Sequence, residues 1–372
     1  MERYLGENTP KLGFGMMRRP RAAEGFDVEQ TARMVDLFLE AGMTYFDTAF
    51  VYAGSEEATR KALVERYPRE SFTLASKLNA WLGAPEEKKA KEQLFKSLDR
   101  AGVDYFDYYL LHALQNNNAD IYERYGLWDY VREQKKAGLI RHWGFSFHGT
   151  PELLDELLTK HPDAEFVQLQ INYADWDDPK VASRRCYETA RRHGKPIVVM
   201  EPVKGGALAN PPAEAARLLR DANPNVSLAQ WAVRYAASLD GILTVLSGMS
   251  SVEQMRDNLS YMRDFRPLDD NERAAIRRAQ EALSRVDRIP CTACRYCAKG
   301  CPREIPIPDI FAARNRQMVW GQDERAKSDY AQLAKKGNVA DACIACGQCE
   351  LACPQGIDVI ARLADCAAHL GA

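Results

Sequence analysis

Hydrophobic and polar positions alternate between two periods along about the first 285 residues of the chain. Eight short runs are rich in apolar and β-branched residues, which is typical of buried strands. The runs are Lys11 to Met17, Met43 to Thr48, Phe72 to Leu78, Tyr105 to His112, Arg141 to Phe147, Phe166 to Tyr173, Pro196 to Val203 and Gly241 to Gly248. Stretches with a helical period separate them, among them Val28 to Ala41, Glu86 to Ala101, Ile121 to Ala137, Pro151 to Lys160, Pro179 to His193 and Val252 to Arg263.

This alternation predicts an α/β fold in which parallel strands are joined by right-handed crossovers. Eight strands is the number that closes a (β/α)8 TIM barrel, which we assign to residues 1–285. The competing fold is an open doubly wound sheet, whose dinucleotide-binding form carries a G-x-G-x-x-G turn after its first strand. Gly13 and Gly15 supply only part of that motif, so the barrel is favoured.

Eight of the ten cysteines repeat one spacing, C-x2-C-x2-C-x3-C-P. The two copies are Cys291, Cys294, Cys297, Cys301, Pro302 and Cys343, Cys346, Cys349, Cys353, Pro354. This is the ligand arrangement of proteins with two 4Fe-4S clusters, in which the fourth cysteine of each copy binds the other cluster. One cluster is therefore assigned to Cys291, Cys294, Cys297 and Cys353, and the other to Cys343, Cys346, Cys349 and Cys301.

Zinc sites and disulfide bonds explain this spacing less well. A zinc site uses four ligands, usually in two separated pairs. A third close cysteine followed by Cys-Pro is not expected in such a site. Disulfides need an oxidising compartment, and the segment from Met1 to Gly15 lacks the apolar run of a secretion signal. The two remaining cysteines, Cys186 and Cys366, are interpreted as small core residues.

The region around the cysteines predicts a small, mostly helical ferredoxin-like domain over residues 286–372. Its segments Asp309 to Val319 and Glu324 to Lys336 have helical patterns, and they make the spacer between the two cysteine copies longer than a compact ferredoxin requires. The charged, amphipathic stretch Asn271 to Val286 precedes this domain. It either links the two domains or packs across the bottom of the barrel.

Charge and hydropathy exclude two classes of partner. The formal net charge is −2, whereas binding to nucleic-acid phosphates requires a basic excess, so no nucleic-acid partner is expected. No stretch reaches the roughly 18 uninterrupted apolar residues of a membrane helix. We therefore expect a cytoplasmic protein that does not associate with membranes.

Polar side chains stand where the second, third and fourth predicted strands end, which is where TIM barrels carry reactive groups. Asp47 and Tyr52 follow the second strand, Lys77 ends the third, and His112 ends the fourth. With these residues the chain resembles the aldo-keto reductase family, whose tetrad is Asp, Tyr, Lys and His. The segments that carry the resemblance are Phe46 to Glu56, Ala75 to Leu78, Tyr109 to His112 and Gly138 to Ser146, within residues 10 to 265. The resemblance implies an oxidoreductase that reduces a small-molecule carbonyl, or oxidises an alcohol, at this tetrad.

The chemistry of carbonyl reduction explains this set of residues. A carbonyl that accepts hydride needs a proton, and a phenol with an unperturbed pKa of about 10 is a poor donor at neutral pH. Lys77 beside Tyr52 would lower the pKa of the phenol, and Asp47 would keep Lys77 charged and in place. His112 would donate a hydrogen bond to the substrate oxygen. Each residue alone also has a structural interpretation, as a turn cap, a half-buried aromatic side chain or a core histidine.

The resemblance also implies a nicotinamide cofactor. The residues that it assigns to cofactor binding are Ser146, Gln168, Pro202, Lys204, Gly248, Ser250, Gln254 and Asn258. The first two would bind the nicotinamide carboxamide, and the others the pyrophosphate and adenosine.

Three positions depart from the family pattern around this cofactor. Phe147 stands where an Asn is usual, Met200 where many members have an aromatic ring, and Gln254 where an Arg often binds the 2′-phosphate. Loss of a guanidinium removes a strong phosphate contact. Lys204 and Arg256 could compensate, so NADP is favoured over NAD.

Three functions are compatible with a barrel and two clusters. Hydride transfer moves two electrons, whereas each cluster moves one, and the usual adapter, a flavin, has no recognisable signature here. In the first function, carbonyl reduction with NADP(H) is coupled to an external one-electron carrier, directly or through an unassigned flavin. In the second, the clusters of a carbonyl reductase are structural or oxygen-sensing. In the third, the barrel is a catalytically silent scaffold for an electron-transfer or regulatory module, against which the complete tetrad argues.

Overall fold

The computed structural model describes residues 5, 8–20, 25–80, 84, 86–179, 181–291, 295–353 and 356–371, and at residues 296 and 299 the backbone alone. The chain forms two compact units. The first contains residues 1–209 and 222–276, and the second contains residues 210–221 and 277–372. The two units divide the chain at different residues from the predicted domain boundary, between residues 285 and 286, and that boundary remains a prediction.

Eight parallel strands close into a barrel in chain order. They are β1 Leu12–Gly15, β2 Tyr45–Asp47, β3 Thr73–Leu78, β4 Phe106–Leu114, β5 Ile140–Phe147, β6 Phe166–Gln170, β7 Ile197–Met200 and β8 Ile242–Ser247. Each strand pairs with the next, and β8 pairs with β1. The predicted (β/α)8 barrel is therefore confirmed, and every strand overlaps the run that predicts it.

Helices connect the strands. Between residues 28 and 284 they are α1 Val28–Glu40, α2 Ser55–Thr59, α3 Glu87–Ala101, α4 Ala119–Arg124, α5 Leu127–Lys136, α6 Pro151–Lys160, α7 Ser183–Arg192, α8 Ala213–Ala222, α9 Leu228–Ala237, α10 Val252–Met262 and α11 Asp270–Ser284. Side-chain oxygens of Asp27, Thr150, Ser227 and Ser251 cap the first turns of four of them. Such a cap satisfies backbone N–H groups that have no partner inside the helix.

The stretch Ile121 to Ala137 forms two helices, α4 and α5, where the sequence pattern predicts one. Gly126 separates them with a φ of 57°, in the left-handed region. Glycine adopts this conformation without the steric penalty of a Cβ atom, and an α-helix cannot continue through it. The apolar period continues across the break, which is why the pattern alone does not show it.

Large side chains fill the barrel interior. Tyr45, Tyr108 and Phe166 are fully buried in one cluster, and the rings of Tyr45 and Tyr108 lie 4.9 Å apart. A second and larger core, which includes Phe14 and Phe38, lies between the strands and the surrounding helices. Because their interior is filled in this way, TIM barrels bind ligands at the open carboxyl ends of the strands.

The second unit is mostly helical, as predicted. Beyond residue 284 its helices are α12 Tyr296–Lys299, α13 Ile307–Trp320, α14 Asp323–Ala334, α15 Gln348–Leu351 and α16 Val359–Leu370. Its core includes Ile310, Phe311 and Leu363. Cys366 is buried in this core and Cys186 in the barrel core, which confirms the interpretation of both. None of the helices that the structure describes combines the length and the apolar character of a membrane-spanning segment.

Candidate active site

The four tetrad residues stand on consecutive elements at one end of the barrel. Asp47 is the last residue of β2, Lys77 lies near the end of β3, and His112 lies near the end of β4. Tyr52 follows Asp47 in the loop that leads to α2. Parallel pairing of β2, β3 and β4 brings these residues together.

Lys77 and Asp47 form a buried ion pair. Lys77 Nζ donates to Asp47 Oδ1 at 2.5 Å and to the Thr48 carbonyl oxygen at 2.6 Å. Their side chains are only 0 % and 4 % exposed. Burial lowers the pKa of Lys77 and raises that of Asp47, while the attraction between them opposes both shifts. Asp47 thus holds the ammonium group in place, as expected.

Tyr52 lies between this pair and His112. Its ring meets the His112 ring edge to face, with centroids 5.6 Å apart, and Lys77 Nζ lies 5.1 Å from the Tyr52 ring centroid. Burial raises the pKa of Tyr52, the carboxylates of Asp47 and Glu201 raise it further, and Arg18 acts in the opposite direction.

The predicted lowering of the Tyr52 pKa by Lys77 is therefore wrong for this structure. The ammonium charge is compensated by Asp47, and burial disfavours a phenolate. Tyr52 consequently keeps its proton at neutral pH, which is the state that a proton donor requires.

The surroundings of His112 favour the neutral form of its imidazole. Burial lowers its pKa well below the usual value, and the nearby Lys77 and His148 act in the same direction. Its backbone carbonyl accepts a hydrogen bond from the Tyr122 hydroxyl, while its Nδ1 is buried and has no partner among the described residues. A neutral histidine still carries one N–H group, so His112 can donate a hydrogen bond.

A cavity of about 800 Å³ opens beside these residues, at the carboxyl ends of the strands. Asp47, Tyr52 and His112 line it, and Lys77 lies behind Asp47. The predicted cofactor residues that also line it are Gln168, Pro202, Gly248, Ser250, Gln254 and Asn258. Its volume suits a large organic ligand, since such pockets span roughly 300–1,000 Å³.

Two predicted cofactor residues are not among the residues that line the cavity. Ser146 is buried in β5, and its hydroxyl oxygen accepts a hydrogen bond from the Ala113 backbone at 2.7 Å. The ammonium group of Lys204 forms an ion pair with Asp175. The interactions of Ser146 with Ala113 and of Lys204 with Asp175 could not be predicted from the positions of these residues in the sequence.

The lining has the polar groups and the open backbone that a dinucleotide needs. Gln168 Oε1 and Asn258 Oδ1 are buried and have no partner in the described part of the chain. Gly206 has a φ of 97° and would meet no atom if it carried a Cβ, so the backbone is open there. The N-terminus of α10, capped by Ser251, follows Ser250 at the cavity, and helix N-termini favour phosphate groups. These residues fit a nicotinamide dinucleotide.

The residues that line the cavity and are not predicted from the sequence include Arg18, His148 and Glu201. Arg18 Nη2 lies 3.2 Å from Glu201 Oε1. These residues follow β1, β5 and β7, so their positions at or just after the ends of predicted strands were the one signal that could have identified them.

The second unit brings cysteines from both copies of the spacing together. Cys301, Cys343, Cys346 and Cys349 line one cavity, with aliphatic side chains around them. Cys291 and Cys353 pack against the core that contains Cys297, whereas Cys294 and Pro354 lie outside the described residues. Among the described residues no group of three or more His, Cys, Asp or Glu side chains is arranged to hold a single metal ion. A 4Fe-4S cluster differs from such a site because it spreads its four thiolates over four iron atoms.

Comparisons with known proteins agree with the division of the chain into a barrel and a region that carries the cysteines. The profile of the aldo/keto reductase family matches residues 11–281, and that of a 4Fe-4S dicluster domain matches residues 290–358. An uncharacterized oxidoreductase of Bacillus subtilis, YqkF, is 24 % identical over 285 residues, which cover 67 % of this chain and 86 % of that protein. The aldo-keto reductase str7 of Strobilurus tenacellus is 31 % identical over 221 residues, 55 % of this chain and 62 % of that protein.

Solved structures with a similar fold are also aldo-keto reductases. The holo form of AKR11C1 from Bacillus halodurans is 26 % identical with a TM-score of 0.59, covering 74 % of this chain and 93 % of that one. An enzyme from Klebsiella pneumoniae, solved in complex with NADP and acetate, is 22 % identical with a TM-score of 0.58, covering 73 % and 91 %. Because the family profile spans well over half of the chain, this protein belongs to the aldo/keto reductase family of oxidoreductases and carries a 4Fe-4S dicluster domain after its barrel.

Proposed function

We propose that this protein reduces a carbonyl compound with NADPH at the barrel cavity and exchanges electrons with an external carrier through two 4Fe-4S clusters. The observation that carries the first part is the convergence of Asp47, Tyr52 and His112 on one cavity, with Lys77 bonded behind them. The second part is supported by the two cysteine copies and by the dicluster profile.

The tetrad side chains have distinct tasks in this reaction. Tyr52 is protonated at neutral pH, and it gives its proton to the carbonyl oxygen as negative charge develops there, because an alkoxide is a stronger base than a phenolate. His112, a neutral donor, orients the same oxygen. Lys77, held by Asp47, lies beside the Tyr52 ring and donates to the Thr48 carbonyl oxygen, so it helps to position the loop that carries Tyr52.

Gln168, Asn258 and the N-terminus of α10 are the groups that would hold the cofactor, which when bound supplies the hydride. We propose NADP(H) rather than NAD(H). Lys204 is paired with Asp175, and Arg256, exposed on α10 two residues after Gln254, is the cation proposed for the 2′-phosphate. Binding of NADPH and NADH by the wild type and by Arg256→Ala tests this preference.

Mutation of Tyr52 tests the proposed reaction. We expect Tyr52→Phe to lower the rate of NADPH-driven aldehyde reduction by ~10²- to 10⁴-fold, because the variant lacks the proton donor. The dissociation constant of NADPH should change little. The control is Tyr67→Phe, whose lost hydroxyl bonds Asp36 away from the cavity and should leave the rate unchanged. Equal rates in Tyr52→Phe and the wild type would show that Tyr52 is not the acid.

Substitution of a cluster ligand tests the role of the clusters. The double variant Cys294→Ser, Cys346→Ser should stop electron flow to an artificial one-electron acceptor, yet retain aldehyde reduction by NADPH, because the tetrad lies on barrel elements and the cysteines do not. If both activities and the melting temperature fall together, the clusters are structural, since metal binding then contributes folding energy. Flavin analysis of the same anaerobic sample shows whether an adapter is bound.

A further inference from the structure

The two copies of the cysteine spacing have the same backbone fold. Each has a left-handed residue before a four-residue helix, α12 or α15, and another left-handed residue three positions after its fourth cysteine. In both copies the N–H of the fourth cysteine donates to the carbonyl oxygen three residues earlier, at 3.3 Å for Cys301 and 3.2 Å for Cys353. The longer helices α13 and α16 begin at corresponding positions after them. Residues 291–309 can therefore be compared one by one with residues 343–361.

One left-handed position differs between the copies. Gly347 has a φ of 75° in the second copy, and glycine adopts this conformation readily because it has no Cβ. At the corresponding position of the first copy Arg295 has a φ of 64°, which is unfavourable for a residue with a side chain. Residues strained in this way cluster at functional sites. The first copy thus has a guanidinium where the second has no side chain.

The guanidinium of Arg295 is held by Asp309, in the first turn of α13. Nη2 donates to Oδ1 at 2.7 Å and Nη1 to Oδ2 at 3.0 Å, a bidentate arrangement that fixes the orientation of the group. The second copy cannot form this pair, because Gly347 and Ala361 stand at the corresponding positions. Arg295 stands in the sequence between two ligands of the first cluster, as we call the one assigned to the first three cysteines of the first copy.

The second copy carries charge of the opposite sign. Between its first and fourth cysteines it has one acidic residue, Glu350, and no basic residue, whereas the first copy has two basic residues and no acidic residue there. Glu350 Oε1 accepts from the Ile360 N–H at 2.9 Å, and Ile360 lines the cavity of the second cluster, which contains the first three cysteines of this copy. Arg303 also lines that cavity, and Glu304, of opposite charge, follows it.

These charges act on the two clusters in opposite directions. A 4Fe-4S cluster that accepts one electron from a one-electron donor becomes more negative by one charge, so nearby charges shift its reduction potential. Arg295 favours reduction of the first cluster, and the Glu350 carboxylate opposes reduction of the second. Asp309 compensates the guanidinium in part, and solvent screens both, since their side chains are 55 % and 36 % exposed.

We propose that Arg295 raises the reduction potential of the first cluster and that Glu350 lowers that of the second, so that an electron shared between the clusters resides mainly on the first. This proposal rests on the two clusters proposed above. Arg295 binds no iron in this assignment and acts through its charge, and Asp309 positions it.

A redox titration followed by EPR spectroscopy tests the proposal. The full-length protein, reconstituted anaerobically to about eight iron per chain, is reduced stepwise with dithionite at low ionic strength. We expect two one-electron steps whose equilibrium constants differ about tenfold, which corresponds to about 59 mV. Arg295→Gly gives the first copy the glycine of the second. It should lower the equilibrium constant of the higher-potential step by about 2- to 5-fold, or about 20 to 40 mV, and leave the other step unchanged.

Asp309→Asn separates an electrostatic role of Arg295 from a structural one. This variant breaks the same ion pair as Arg295→Gly, yet it removes a negative charge instead of a positive one. The higher-potential step should therefore move upward. A structural role predicts instead that both variants move this step in the same direction. Arg295→Lys keeps the charge, and its potentials should stay close to those of the wild type.

Two more variants test the second cluster and the background. Glu350→Gln should raise the lower-potential step and leave the higher one unchanged, because the lost charge belongs to the second copy. The matched control is Arg316→Gln, which breaks the ion pair of Arg316 with Asp329, two turns further along α13 than Asp309. Neither step should move in this control.

The outcomes distinguish this proposal from the proposed function. If Arg295→Gly moves neither step, or moves both equally, the tuning role is overturned and the two clusters remain. Shifts in the same direction in Arg295→Gly and Asp309→Asn overturn it as well. A wild-type protein with only about four iron and a single step overturns both this proposal and the two-cluster part of the proposed function.

Discussion

At the scale of single residues, the buried pair Lys77 and Asp47 is the least replaceable part of the site. An isolated charge in the protein interior is expensive, so each member depends on the other. The two side chains are nearly inaccessible to solvent, and their distance of 2.5 Å is that of a strong charge-assisted hydrogen bond. The same pair places positive charge beside Tyr52, which links stability to the proposed chemistry.

We expect Asp47→Asn to lower the free energy of unfolding by about 3–5 kcal/mol, because it leaves the Lys77 ammonium buried without a counter-charge. Urea unfolding followed by fluorescence measures this change. The double variant Asp47→Asn, Lys77→Met should recover part of the loss, since it removes the orphaned charge. The control is the exposed pair of Glu87 and Lys91, where Glu87→Gln should change stability little. Equal effects at both sites would contradict the buried ion pair.

At the scale of secondary-structure elements, close approach of strands limits which side chains the barrel accepts. Gly144 lies in β5 between Leu110 of β4 and Phe166 of β6. A Cβ at this position would lie 2.2 Å from the Phe166 carbonyl oxygen, so the backbone of β5 or β6 would have to move. Glycine here serves close packing of two strands, since its φ is not in the left-handed region.

Gly144→Ala should therefore lower the free energy of unfolding by about 1–3 kcal/mol, the usual cost of overpacking. Gly15, at the end of β1, is the matched control, because a Cβ there would meet its nearest atom at 3.5 Å, an ordinary contact. Gly15→Ala is expected to have a much smaller effect on stability. Thermal unfolding of the two variants beside the wild type makes the comparison. Two equally stable variants would show that β5 and β6 can separate at little cost.

At the scale of the whole molecule, the question is which cysteines share a cluster. The cavity lined by Cys301, Cys343, Cys346 and Cys349 contains the fourth cysteine of one copy and the first three of the other, which supports the crossed assignment. The same rule places Cys353 with the first copy, whose Cys294 lies outside the described residues.

Iron content of double variants tests the crossing. The wild type should hold about eight iron and eight sulfide per chain after anaerobic reconstitution, and Cys349→Ala about four of each. Adding Cys301→Ala to Cys349→Ala should remove no further iron, because both cysteines bind the same cluster. Adding it to Cys297→Ala should remove nearly all iron. The reverse pattern would mean that each copy binds its own cluster.

Several features of this protein were determined by its sequence alone. Strand and helix periods predict the (β/α)8 barrel because strands buried on both faces are continuously apolar, whereas the helices that cover them are apolar on one face. The cysteine spacing predicts 4Fe-4S chemistry because ligands separated by only two residues are close in any fold. Asp47, Tyr52, Lys77 and His112 could be predicted because the ends of parallel strands necessarily meet at one face.

Only the tertiary structure decided how these side chains are partnered and charged. Ser146 and Lys204 are engaged by Ala113 and Asp175, and the Tyr52 pKa rises where the sequence predicts a fall. Hydrogen-bond partners and burial are set by groups distant in the chain, and no local pattern encodes them. For the same reason Arg18, His148 and Glu201 could be recognised as cavity residues only when the loops after β1, β5 and β7 were brought to one cavity.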